Sequence, residues 1–241
     1  MKAVALALTI FCLAGALRAE EMVELKTESY PPFSYRDADG TYKGTAIEQV
    51  ETIMRDARLP YSLEMLPWAR AIALAETKAN NCVFTTAMTP DRENRFKWVI
   101  PLSTSPNILV RHIDSDVRAA TIDDAKRYMV GTHRGDYTEG LLTNWGFQKI
   151  DISADFDTSL RKLLDRRIDM MPMSENVYDR LKRNGTPVEK VMQFALQQFG
   201  IACQKDMADE TIARMQNSLD AMKRDGRMAE IYRRYGLNPP K

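Results

Sequence analysis

The sequence is short of cysteine, histidine and clustered glycine, and each shortage removes a class of function. Of 241 residues only three are Cys, at positions 12, 82 and 203. That is too few for a disulfide scaffold, and their spacing is not that of zinc ligands. His112 and His133 are the only two histidines, and neither has a partner at metal-ligand spacing. The eleven glycines are scattered, so no G-x-G-x-x-G, G-x-x-x-x-G-K or G-x-S-x-G forms, and dinucleotide, NTPase and nucleophile-elbow hydrolase readings lack support. An excess of either charge is also missing. Lys plus Arg is 34 against 33 Asp plus Glu, a net charge of +1, which argues against a nucleic-acid partner. No cofactor or metal is expected.

What is present is an ordinary globular composition, 44% hydrophobic and 28% charged, in a chain long enough for one large domain or two lobes of roughly 100 residues each. The start reads as an export signal over residues 1–19. Lys2 is the positive end, and Val4 to Leu17 is an apolar run of about 14 residues, short of the ~20 that span a bilayer. Leu17-Arg18-Ala19 serves as the cleavage site; an uncleaved anchor helix is the alternative. The expected location is periplasmic. Cys12 falls inside the signal, leaving Cys82 and Cys203 as a disulfide candidate in an oxidising compartment or, alternatively, as two small buried hydrophobes.

The rest alternates strands and helices. Met22–Thr27 alternates as a half-buried strand, and Tyr30-Pro31-Pro32-Phe33 follows as a rigid loop. Helices are expected at 46–58 and 68–78, and strands at 61–66 and 82–86, a β-α-β-α-β rhythm that implies a parallel sheet with helices on both faces. The rhythm restarts with strands at 107–111, 128–132, 148–152 and 168–173. Helices begin at Thr121, Thr138, Asp157 and Glu175, the last ended by Asn184-Gly185. A strand at 199–205, a helix at 208–223 and a short helix at 228–235 close the chain. Two such units without a polar linker predict two α/β lobes joined by short crossings, with ligands at the carboxyl ends of the strands.

Four segments in order resemble one family. Glu28-Ser29-Tyr30-Pro31-Pro32-Phe33 is similar to the opening of the extracellular solute-binding proteins of family 3, the polar amino-acid receptors of ABC importers. Thr89-Pro90-Asp91-Arg92 with Phe96, Trp98 and Pro101 resembles its T-x-x-R…F-S-x-P segment. Asp165–Asp169 resembles its G-R-x-D stretch, and Met222–Gly226 with Ile231, Tyr232, Tyr235 and Gly236 its C-terminal helices. The resemblance implies two Rossmann-like lobes joined by two hinge strands, the type II periplasmic binding protein fold. Lobe one is then residues 20–104 plus 198–241 and lobe two 105–197, with hinges near Ser103–Pro106 and Leu196–Phe199. It also places the returning strand antiparallel beside the third strand, which makes Cys82 and Cys203 neighbours.

The resemblance and the places of residues at strand carboxyl ends together suggest a ligand set. Arg92 matches the family's carboxylate-binding Arg, whose planar fork pairs two oxygens at once; a solvated place in the charged run 91–95 is its alternative. Tyr30, Phe33 and Trp68 are candidate aromatic walls, with core packing as the alternative for each. Arg70 is a second cation at the same strand end. Thr85, Thr86 and Met88 follow the third strand, where hydroxyl and backbone groups of family members touch the ligand. Two departures stand out. Asp136, beside Tyr137, replaces the small hydroxyl residue expected near a ligand carboxylate, and it also suits capping its own helix. Ser174, with Glu175 next to it, stands where α-amino-acid binders place an Asp for the ammonium. The expected function is capture of a small polar carboxylate-bearing solute and its delivery to a membrane permease, by a monomer without enzymatic activity. A periplasmic dehydratase of cyclic acids and a sensor docking on a membrane receptor are the alternatives.

Overall fold

The computed structural model describes residues 22–239, so the export signal lies outside the described residues. β1 (Val23–Thr27) is the middle of a parallel trio with β4 (Tyr61–Met65) and β5 (Asn81–Ala87). Two short strands, β2 (Tyr35–Arg36) and β3 (Tyr42–Lys43), lead to α1 (Thr45–Asp56), and α2 (Trp68–Thr77) joins β4 to β5. The sides of this sheet follow strand alternation. Leu25, Cys82, Phe84, Ile201 and Cys203 face a core built with α1 and the C-terminal helices. Val83 and Ala202 face the other way, onto Trp68, Ala71 and Ala75 of α2.

A one-turn helix, α3 (Pro90–Glu93), precedes β6 (Lys97–His112), and β10 (Val188–Cys203) returns beside it. These two strands are 16 residues each, about three times the length expected from sequence for β6 and more than twice for β10. They pair antiparallel from Lys97↔Cys203 to His112↔Val188 and run through both lobes. The sheet order β4-β1-β5-β10-β6-β9 is therefore mixed, where alternation alone predicted parallel strands. The predicted hinge segments pair with each other, Ser103 with Phe199 and Pro106 with Leu196. The register slips between Phe199 and Ile201. Gly200 sits in that bulge because a Cβ there would lie 2.6 Å from the Val99 carbonyl oxygen.

Lobe two holds α4 (Ile122–Ala125), β7 (Val130–His133), α5 (Tyr137–Asn144), β8 (Ile150–Ser153), α6 (Phe156–Leu164), β9 (Met171–Ser174) and α7 (Glu175–Arg183). The helix expected from Thr121 is a single turn, although its capping box with Asp124 is complete. β7 pairs parallel with β8, and a bridge from Val130 to Met170 links them toward β9. Leu109, Val130, Leu142, Phe147 and Met170 form this lobe's own core. The chain then returns to lobe one through β10 and ends with α8 (Asp209–Arg224) and α9 (Arg227–Arg234). Cys82 and Cys203 face each other across β5 and β10 and are disulfide-bonded, enclosing a sequence separation of 121.

Candidate ligand-binding cleft

The carboxyl ends of β1, β5 and β7 converge where the lobes meet, and a cavity lies among them. Its wall includes Glu28, Tyr30, Trp68, Thr85 and Arg92 from lobe one and His133, Asp136, Tyr137 and Phe156 from lobe two. Asn107 and Phe199 of the long strands complete it. The walls enclose about 550 Å³ of space, mouth included, which is room for a small ligand.

Arg92 is held by α3 and is only 4% exposed. It donates across the cleft to the Gly135 carbonyl at 2.8 Å, and the Trp68 indole N–H donates to the same oxygen at 2.8 Å. Gly135 can present that carbonyl because its φ of +75° is open to glycine. The guanidinium also lies 5.8 Å from the centre of the Trp68 ring. Burial pushes the Arg92 pKa down, against the pull of Asp136. Tyr30 makes the second crossing. Its oxygen accepts from the Ser174 backbone N–H at 3.1 Å, and its ring meets Phe156 edge-on at 4.8 Å. Burial raises its pKa.

The third crossing is a pair absent from the sequence expectations. Glu28, one residue beyond β1, stands 3.4 Å from His133 Nε2, the last residue of β7. The His133 side chain is buried and that of Glu28 is largely so, at 14% exposure. Burial pushes the Glu28 pKa up, against the adjacent charge of His133. Burial also works against a charged His133, but the adjacent Glu28 carboxylate and the charges of Asp136 and Asp155 raise its pKa to about 9; the contact is an ion pair, and Nε2 has no hydrogen-bond partner within the protein. The signal for this pair was present in the position of each residue at a strand's carboxyl end, but only the fold makes them partners.

The cavity wall therefore contains Arg92, Tyr30, Thr85, Trp68, Asp136 and Tyr137 of the expected set. Thr85 holds φ +59°, a strained value for a β-branched residue, and its hydroxyl is buried without a hydrogen-bond partner. The Tyr137 hydroxyl and the Asn107 amide nitrogen are also buried and unpartnered. Asp136 caps α5 by accepting from the Thr138 backbone N–H at 2.9 Å. The other expected residues stand outside the wall. Phe33 is buried in the lobe-one core beneath Tyr30. Thr86 turns away and donates to the Val83 carbonyl. Met88 meets the returning strand through its backbone, its N–H donating to Gln198 and its carbonyl accepting from Gln197. Arg70, two residues beyond Trp68 on α2, is exposed. Ser174 caps α7, and Glu175 pairs with Lys190 at 2.7 Å.

A two-lobed α/β fold with a charged cleft at its strand ends defines a class of binding proteins. The family of bacterial extracellular solute-binding proteins, family 3, matches residues 25–238, and the chain belongs to it. Among curated relatives, the L-cystine-binding protein TcyJ of Escherichia coli (strain K12) is 24% identical over 214 residues, covering 84% of this chain and 77% of TcyJ. Among solved structures, the arginine-, lysine-, histidine-binding protein ArtJ of Geobacillus stearothermophilus superposes with a TM-score of 0.81 at 20% identity, covering 91% of this chain and 97% of ArtJ. A histidine kinase sensor domain similar to periplasmic binding proteins reaches 0.83 at 18% identity, covering 91% and 99%. The fold is thus the type II periplasmic binding architecture.

Proposed function

We propose that the chain is a periplasmic substrate-binding protein that captures a small amino acid or a related carboxylate-bearing solute in its cleft and hands it to the permease of an ABC importer. The observation that carries this reading is the convergence of both signs of charge from both lobes on one desolvated cavity. Arg92 supplies a carboxylate partner, Glu28 and Asp136 are acids on the same wall, and the Thr85, Asn107 and Tyr137 polar groups have no partner within the protein. A buried polar group without a partner is costly, and a ligand's oxygens would satisfy several at once. Arg92, Tyr30, Thr85, Trp68, Asp136 and Tyr137 are the proposed contacts.

Closure is the proposed mechanism. Lobe one is taken as residues 20–104 plus 198–241 and lobe two as 105–197, turning about the paired segments Ser103–Pro106 and Leu196–Phe199. The three crossings, Arg92 with Trp68 to Gly135, Tyr30 to Ser174 and Glu28 to His133, hold the closed form. A monomer suffices, because the cleft is built from one chain. The acid chemistry a dehydratase needs is not supported at Glu175, which pairs with Lys190 away from the cavity. The test is calorimetry of the mature protein with the protein amino acids and L-cystine, with mass spectrometry of the recovered ligand. Saturable binding of an unaltered ligand supports the reading; turnover of the ligand, or no binding across the panel, overturns it.

A further inference from the structure

The acid-rich end of the cleft looks made for a cation, yet the protein already places one there. Glu28 belongs both to the cavity and to an adjoining pocket that holds Asp155 and Asp157. Asp136 lines the cavity from the lobe-two side. Glu28 and Asp136 on the wall, with Asp155 close by, would favour a ligand carrying a positive side chain. His133 intervenes. It reaches from the end of β7 to within 3.4 Å of Glu28, is itself 6% exposed, and stacks edge-on to Phe156 at 6.5 Å, which fixes its ring. Asp136, Glu28 and Asp155 all face it and favour its charged form, and its pKa of about 9 keeps it charged at neutral pH.

We infer that His133 determines specificity: as a fixed cation against Glu28, it withdraws that carboxylate from the ligand and restricts the cleft to small amino acids or related acids without a positive side chain. This rests on the reading that the cleft binds an amino-acid-type ligand. The remaining wall agrees with it. Asp136 is engaged in capping α5, through the Thr138 backbone N–H and hydroxyl. The unpartnered Asn107 nitrogen is a donor, and the Tyr137 and Thr85 hydroxyls can donate, so the groups left for a ligand call for oxygens rather than for a second ammonium.

The sign of the effect is testable because the two partners shift it in opposite directions. His133→Gln removes the cation and leaves Glu28 free to attract one. Glu28→Gln removes the carboxylate and leaves the cation free to attract an acid. Calorimetric affinities of the mature protein and both variants are compared for L-glutamine, L-glutamate, L-lysine and L-arginine, with thermal unfolding of each variant as the folding control. The native protein is expected to bind glutamine or glutamate at least about tenfold tighter than lysine or arginine. In His133→Gln the lysine-to-glutamine affinity ratio is expected to rise about tenfold or more, and in Glu28→Gln the glutamate-to-glutamine ratio to rise. If His133→Gln does not fold, the Glu28→Gln ratio decides alone. Native preference for lysine or arginine, or unchanged ratios in variants that still bind, overturns the role of His133 while leaving the binding function standing. Failure of the native protein to bind any probe overturns both.

Discussion

Arg92 concentrates the chemistry of the cleft in one side chain. Its fork already spans the lobes through the Gly135 carbonyl, and it is almost wholly removed from water. Truncation to Ala strips a ligand carboxylate of its charge partner and removes one crossing of the closed form. The expected loss is roughly 2–5 kcal/mol, about thirtyfold or more in Kd, measured by calorimetry. An unchanged affinity would remove Arg92 from the site. His133 makes a second prediction at this scale, in stability rather than binding. Its folded-state pKa, about 9, lies above the ordinary histidine value of 6.5. A raised value means the folded protein holds the proton more tightly, so the stabilisation is complete below about pH 6.5 and is lost as pH rises through about 9. The shift corresponds to up to about 3 kcal/mol at constant Glu28 charge. Denaturation midpoints from pH 6 to 10 should therefore fall across that window, and the fall should shrink in His133→Gln. A slope of equal size in the variant would assign the effect to other groups.

At the scale of elements, the places where local signals suffice differ from those where they do not. α7 was legible over Glu175–Arg183 because an amphipathic run ends at Asn184-Gly185, and α1, α2 and α8 were legible within a residue or two for the same reason. The polar halves of β6 and β10 were not. Ser103, Thr104, Ser105, Gln197 and Gln198 break the apolar alternation, and Pro101 and Pro106 argue against a strand; only pairing with a segment distant in sequence holds them extended. The cleft follows the same division. Arg92 and Tyr30 drew notice through the family-like segments that hold them, and Trp68 through its place just after β4; all three line the cavity. Glu28 and His133 were not a pair until β1 and β7 were brought end to end. The disulfide between β5 and β10 also belongs to this scale. Thiol titration of denatured, unreduced mature protein should find no free thiol. Replacing both cysteines with Ser should cost up to about 4–5 kcal/mol by the loop-entropy account, read in denaturant unfolding. Two free thiols per chain would refute the bond.

At the scale of the whole molecule, the two long strands are, among the described residues, the chain's path between the lobes, apart from contacts across the cleft. They pair with each other through the crossing, so the hinge is a two-stranded ribbon rather than two separate tethers. Such a ribbon resists splaying and yields more easily to twist, so the proposed closure would turn lobe two over the cleft. Solution scattering with saturating ligand should show a smaller radius of gyration than without it. No contraction would mean that ligand does not drive closure. Because the crossing bonds are few and polar, the free protein is expected to sample the open form readily.

The position of the Cys82–Cys203 bond has a further consequence for how the molecule comes apart. It lies wholly within lobe one, but the covalent ring it closes contains the whole of lobe two, since the chain between the two sulfurs leaves through β6 and returns through β10. Lobe two is thus an insertion inside a closed covalent circle. A protease that cuts once within it opens the circle without releasing a fragment. The nicked chain would migrate as a single species on a denaturing gel until a reductant is added, and only then separate into an N-terminal and a C-terminal piece.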